Sequence, residues 1–173
     1  NGLNIQRFNI DHELQNEHQR CKDEIHAFVR GHFFQSYYFD LDQTLYLFTS
    51  GRFEYKNKGY DLTLEALARL NWRMKEAGIN KTVVMFFITR QPFKSINPEV
   101  LQSRATLEKI RQTTEAIKDQ VGDGLYNDSL ADKGTGFPQL NRFVDDGLII
   151  KYRRNLQSWR TKNLPPIVTH NMV

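Results

Sequence analysis

Cysteine is nearly absent: the 173-residue chain carries one, Cys21. A lone cysteine excludes an intrachain disulfide and favours a reducing compartment. No apolar run approaches the roughly 20 residues that a membrane-spanning helix requires, which excludes such a helix. The opening stretch NGLNIQRFNI lacks the basic-then-apolar order of a secretory leader, and it lacks an initiator Met. The chain is therefore expected to begin inside a longer protein. Charge of one sign is not in large excess. A net charge of +4 suits an anionic ligand but is a weak signal for nucleic acid. Neither a Walker phosphate loop nor G-x-G-x-x-G occurs, and the chain has no internal repeat and no low-complexity tract. What is present is an ordinary soluble composition, 39% hydrophobic and 25% charged, in a chain long enough for one domain with a real core.

Along the chain, residues 1–10 read as a loop, opened by the turn pair Asn1-Gly2. Asp11 is placed to cap a helix over about 12–30, where Leu14, Cys21, Ile25, Phe28 and Val29 recur at helical spacing and Gly31 supplies a stop. The aromatic connector FFQSYYF follows. TLYLFTSG is an apolar run closing on Ser50-Gly51, which predicts a strand. A helix over about 61–77 is expected to bury Leu64, Leu67, Leu70 and Met74 and to end at Gly78. TVVMFFIT predicts a second strand. Its six consecutive apolar residues, Val83 to Ile88, suggest burial on both faces, as in a parallel sheet. Strand, helix and strand in this order form a βαβ unit with a right-handed crossover.

From Asn97-Pro98 to about Leu130 the texture changes. Val100, Leu107, Thr114 and Val121 stand seven apart, interleaved with Ser103, Ile110, Ile117 and Gly124. That is a heptad pattern held for about three heptads, weakened at its end by Gly122 and Gly124. Two readings are open for this stripe: packing against the chain's own sheet, or an interface with another subunit. ADKGTGFPQ is a loop, a second helical pattern runs over about 139–160, and LPPIVTHNMV reads as a third strand. The fold class is α/β: half of a doubly wound parallel sheet with a long helical insertion.

In an open α/β sheet, ligands bind beyond the carboxyl ends of the strands. The loop SGRFEYKNKG occupies that position and leads into a helix start, whose N–H groups and partial positive charge suit phosphate. Arg52 offers a planar fork for two phosphate oxygens, Lys58 a compact charge, and Gly51 and Gly59 let backbone approach closely. The alternative is a solvated surface loop, which is the reading for Lys56.

Together, NGLNIQRF, FVRGHF, SGRFEYKNKGYDLTLEALARLN, TVVMFFI and PPIVTHNM resemble glycogen synthase of the animal and fungal type. That is a retaining glycosyltransferase with two Rossmann-like domains and a cleft between them. The resemblance spans the whole chain in motif order, and the run Arg-Phe-Glu-Tyr-x-Asn-Lys-Gly is its most specific part. It implies a partial Rossmann-like sheet of the GT-B C-terminal kind. Residues 1–96 would be a βαβ nucleotide-sugar-binding part, 97–163 a coiled-coil-like helical insertion, and 164–173 a third strand. It implies that Arg52 and Lys58 hold the diphosphate of the donor, UDP-glucose, for transfer to an α-1,4-glucan acceptor. No metal and no other cofactor is implied, because the side chains replace the metal. A cytoplasmic location and a homo-oligomer built through residues 98–160 are implied as well.

The family's two glutamates with seven residues between them have no counterpart, since no glutamate pair here has that spacing. By the resemblance, an N-terminal domain would precede Asn1 and an arginine cluster that senses glucose 6-phosphate would follow Val173. The chain is expected to be a fragment that transfers no sugar alone. Another nucleotide-sugar transferase of the same architecture, or a module that serves mainly in oligomerisation, is the alternative.

Three further features have ordinary readings. Lys151, Arg153, Arg154, Arg160 and Lys162, with Tyr152 and Trp159 interleaved, form a charged helix face rather than a nucleic-acid surface. His12, His18, Cys21, His26 and His32 cluster in sequence without a zinc-site spacing, although His18 and Cys21 share a helix face. His170 and Asn171 end the third strand, and Arg90 ends the second, on the side where such sheets bind ligands. The family usually has an apolar segment at Arg90, so the resemblance lends that residue no role.

Overall fold

The computed structural model describes residues 11–131 and 136–172, with side chains from Leu14 onward. The loop expected over residues 1–10, part of the 131–139 loop and Val173 lie outside the described residues, as do the side chains of His12 and of Asp11, the expected cap. In chain order the elements are α1 (Asp11–Phe33), β1 (Thr44–Arg52), α2 (Tyr60–Glu76), β2 (Thr82–Arg90), β3 (Phe93–Ile96), α3 (Pro98–Leu130), a 3-10 turn (Leu140–Phe143), α4 (Asp146–Trp159) and β4 (His170–Met172). The chain is mixed α/β, mostly helical with a small parallel sheet. It divides into a helical unit, residues 1–36 with 98–167, and a strand unit, residues 37–97 with 168–173.

In the strand unit, β1 and β2 pair in parallel from Thr44↔Thr82 to Arg52↔Arg90. The helix between them makes a βαβ unit, compatible with a partial Rossmann-like fold. Gly78, at φ 65°, stops α2 as expected. The amide of Ile79 reaches back to Met74 O at 2.9 Å and that of Gly78 to Lys75 O at 3.2 Å, the paired bonds of a Schellman motif.

The burial expected of these elements is only partly met. Val84 is the buried residue of β2, while Phe48 and Ile88 are 72% and 56% exposed. On α2, Tyr60 and Met74 are buried, Leu67 is half-buried, and Leu64 and Leu70 are exposed. Two strands less than 5 Å apart make a platform narrower than a helix, so they cannot cover the apolar row of α2.

The third strand differs from expectation. Residues 164–169 form no strand, and β4 pairs antiparallel with β3 rather than joining β1 and β2. Pro165 and Pro166 have no N–H to give to a sheet, so pairing begins only after them. The ribbon is short: Ile96↔His170 and Ser95↔Asn171, then a bulge, then Phe93↔Met172. Asn97 N donates to Thr169 O at 3.0 Å just beyond it.

In the helical unit, α3 packs on α1, the 3-10 turn and α4. Asn155 of α4 donates to Thr113 Oγ1 at 2.9 Å and to Lys109 O at 3.2 Å, Asp145 N donates to Gln120 Oε1 at 2.9 Å, and Arg142 pairs with Asp128. Ascending α3 therefore means descending toward the start of α4, an antiparallel arrangement. The heptad stripe of α3 is turned onto these elements of the same helical unit. Val100 and Ser103 are buried, and Leu107, Ile110, Ile117 and Val121 are half-buried. Thr114 is exposed, and Thr113 is 0% exposed in its place. The hydrogen bond from Asn155 draws in the hydroxyl that has a partner there.

Two helix boundaries also differ. α1 runs through Gly31 to Phe33, because Gly31 packs against Leu107 and Arg104 of α3 and does not adopt a positive φ. α3 runs to Leu130, where the heptad stretch was expected to end, and passes through Gly122 and Gly124. The pattern over 139–160 is broken in two by Asp145, whose carboxylate accepts from Gly147 N at 2.8 Å and Leu148 N at 3.3 Å and so starts α4. Leu14, Cys21 and Ile25 of the expected apolar row on α1 are exposed, and its buried residues are His26, Val29, Gly31 and His32.

Candidate functional site

The apolar run of β1 brings the chain to the edge of the sheet at Gly51 and Arg52, and a tight loop returns it to α2. Four backbone bonds shape that loop. Glu54 N donates to Arg52 O at 2.9 Å, Lys58 N to Glu54 O at 2.8 Å, Gly59 N to Lys56 O at 3.0 Å and Tyr60 N to Tyr55 O at 3.0 Å. Gly59 caps α2 in the left-handed region, φ 64° and ψ 32°, where a side chain would be strained.

Tyr60 anchors the loop. It is 3% exposed, its hydroxyl donates to Arg52 O at 3.3 Å, and its ring meets Phe87 of β2 edge-on at 5.2 Å. One side chain thus ties the end of β1, the start of α2 and the second strand together. Sequence reasoning passed over Tyr60. The signal for it was an aromatic placed directly after the glycine that opens the helix.

The predicted residues are placed as follows. Lys58 folds back over Gly51: a Cβ built on Gly51 would stand 3.4 Å from Lys58 Cε and 3.7 Å from Nζ. Lys58 thus has room at the strand end that a methyl group at position 51 would leave and a larger, branched side chain would take. Arg52 leaves the strand on the opposite face, because successive side chains alternate. Its side chain is 81% exposed, and its Nε forms an ion pair with Glu54 Oε1 at 3.2 Å. Glu54 also accepts from Asn57 Nδ2 at 3.4 Å, so this carboxylate organises the loop between the two cations. Glu54 was not foreseen as part of the site. An acid two residues from the candidate arginine was the cue.

The helix start is less open than the sequence suggested. Tyr60 N is bonded within the loop, and Leu62 N is bonded to the Asp61 carboxylate at 2.9 Å. Asp61 also favours the positive helix end that an anion would otherwise neutralise. The cationic side chains, rather than backbone amides, are the stronger anion-binding groups here.

Other candidates lie elsewhere. Arg90 ends β2 directly opposite Arg52. His170 and Asn171 sit in the β3–β4 ribbon, where His170 stacks edge-on with Phe93 at 4.7 Å and Asn171 donates to Ser95 Oγ at 3.1 Å. Both side chains are used within the ribbon. On α4, Lys151, Arg153 and Arg154 are exposed while Tyr152 and Trp159 are half-buried, so the aromatics do not share the cations' face. His32 donates from Nε2 to Pro166 O at 2.8 Å, and burial holds its imidazole below the ordinary histidine range despite that bond. Among the described residues no group of three or more His, Cys, Asp or Glu could hold a metal ion. No helix among them is long and apolar enough to cross a membrane.

The sequence matches the family model described as Glycogen synthase over residues 1–173. It is 41% identical over 174 residues to the glycogen (starch) synthase of Neurospora crassa, covering 100% of this chain and 25% of that protein. To the liver glycogen (starch) synthase of Mus musculus it is 39% identical over 173 residues, covering 100% of this chain and 24% of the relative. To isoform 2 of glycogen (starch) synthase from Saccharomyces cerevisiae it is 39% identical over 180 residues, covering 100% and 26%. The chain spans about a quarter of the length of the curated relatives it matches.

Proposed function

Because the chain belongs to the glycogen synthase family, we propose that it is part of a retaining glucosyltransferase. That enzyme extends an α-1,4-glucan from UDP-glucose. The part described here is the opening of a GT-B C-terminal domain, and its share of the work is to hold the donor diphosphate with Arg52 and Lys58. The observation that carries this reading is the placement of Lys58 across Gly51, one residue from Arg52, in a loop braced by Tyr60 at the carboxyl end of a parallel strand.

The chemistry asks for such groups. As the glucosyl group leaves UDP, negative charge grows on the β-phosphate. Fixed cations there stabilise the transition state more than the ground state. No metal enters this scheme: the two side chains supply the positive charge. Gly51 serves by being small, leaving Lys58 the room a branched side chain would take, and Gly59 by allowing the turn into α2.

The test is kinetic and uses the full-length protein. Arg52→Ala or Lys58→Ala should lower kcat about 10²–10³-fold, by analogy with lost oxyanion donors. Wild-type kcat and donor KM in both variants would overturn the assignment. The isolated 173-residue chain should transfer no glucose from UDP-glucose, and detectable transfer would refute its status as an incomplete site.

A second reading concerns the helical unit. Leu101, Tyr126 and Leu130 of α3 and Ile150 of α4 are exposed apolar residues. They favour self-association through residues 98–160, a coiled-coil-like role in a cytoplasmic homo-oligomer. Sedimentation of Leu130→Glu should show a smaller species than wild type. A wild-type protein that is monomeric at high concentration would end that reading.

A further inference from the structure

We propose that Arg90 is a third cation of the donor site and sets its preference for a diphosphate over a monophosphate. The inference rests on the donor-site reading of Arg52 and Lys58 given above. Arg52 and Arg90 are the last residues of β1 and β2, and they are register partners in a parallel pair. Partners in parallel strands project to the same face. Neighbouring strands lie about 4.8 Å apart, well within the length of an arginine side chain, so both guanidinium groups reach one anion at the strand tips. That tip is where open α/β sheets take their ligands.

Without an anion the arrangement is unfavourable, because like charges side by side on neighbouring strands repel. Arg52 has the Glu54 carboxylate at 3.2 Å. Arg90 is exposed and has no ion-pair partner among the described residues. Glu54 offsets one cation of the three, which leaves two positive charges for the two singly charged phosphates of a nucleotide sugar.

The faces decide which anion fits best. Lys58 lies over Gly51 on one face of β1, whereas Arg52 and Arg90 start from the other. An anion at the sheet edge is therefore met from two sides. A diphosphate is long enough to engage both sides at once, and a single phosphate must favour one. Planar guanidinium forks on the arginine side hold two oxygens each, which a lysine cannot do.

Calorimetric titration of the full-length protein with UDP and with UMP separates the possibilities. Arg90→Ala should weaken UDP binding about tenfold, the loss of one charge-assisted contact, and weaken UMP binding much less. Arg90→Lys should recover part of the UDP affinity, since it keeps the charge but not the fork. Arg90 is exposed, so the unliganded melting temperature should not change. If Arg52→Ala weakens UDP and Arg90→Ala does not, Arg90 is outside the site and the donor reading survives. Equal losses for UDP and UMP in Arg90→Ala overturn the diphosphate preference. Wild-type UDP affinity in both variants overturns the donor site itself.

Discussion

Lys58 lies along the backbone of Gly51, so close that a methyl group at position 51 would stand 3.4 Å from Cε. The contact joins the end of β1 to the last residues before α2, and it makes the size of residue 51 a control on where the ammonium group rests. Alanine at that distance is an ordinary van der Waals neighbour. Valine is not, because its second branch extends into the lysine stem. In the full-length protein, Gly51→Val should raise the donor KM about tenfold, the equivalent of one charge-assisted contact, with Gly51→Ala near wild type. Steady-state kinetics against UDP-glucose check this, and identical KM values for Val and wild type would show that Lys58 does not depend on Gly51.

Gly59 bears on folding rather than on the ligand. Its φ of 64° and ψ of 32° are left-handed. Gly59→Ala should cost about 1–2 kcal/mol, and Gly59→Asn less, because asparagine tolerates this region better. Urea denaturation followed by circular dichroism reads the difference.

Gly124 permits the contact between α3 and the 3-10 turn. A Cβ there would stand 2.5 Å from the ring carbons of Phe143, too close for real atoms. Arg142 also lies over this ring, its Cζ 4.7 Å from the centroid. Gly124→Ala should cost about 1–3 kcal/mol, as overpacking does. Adding Phe143→Ala should cost less in the Gly124→Ala background than in wild type, and a double-mutant cycle of melting temperatures measures that coupling.

His32 ties α1 to the segment after α4 through Pro166 O, and burial lowers its proton affinity. The folded state therefore binds the proton less readily than the unfolded chain. Its contribution to stability is present above the unfolded histidine pKa, about 6.5, and is lost as pH falls through the lower folded value. The urea midpoint should drop on going from neutral pH to mildly acidic pH. His32→Gln keeps an N–H for Pro166 O and should flatten that part of the profile. A slope unchanged by the substitution would assign the pH dependence to other groups.

Much of the strand unit was legible. TLYLFTSG, the Gly78 stop and TVVMFFIT carry their structure in local chemistry: β-branched and aromatic runs for strands, a glycine for a left-handed stop. The loop residues Gly51, Arg52, Lys58 and Gly59 were legible for the same reason, being punctuation and charge at a strand end. Tyr60 and Glu54 were not. Their roles consist of reaching Arg52 O and Arg52 Nε, and a partner is visible only when both ends of the loop are in space.

The amino-acid order alone determined that β1 and β2 are extended and α2 is helical, where α2 stops, and which cations stand at the tip of β1, because propensity, φ preference and charge act within a few residues. Only the tertiary structure decided that β4 pairs antiparallel with β3, that Thr113 rather than Thr114 faces inward, and that α1 continues past Gly31. Each of those outcomes depends on a distant partner: Ser95 for Asn171, Asn155 for Thr113, and Leu107 for Gly31. The free energy of such contacts exceeds the local preferences that would have chosen otherwise.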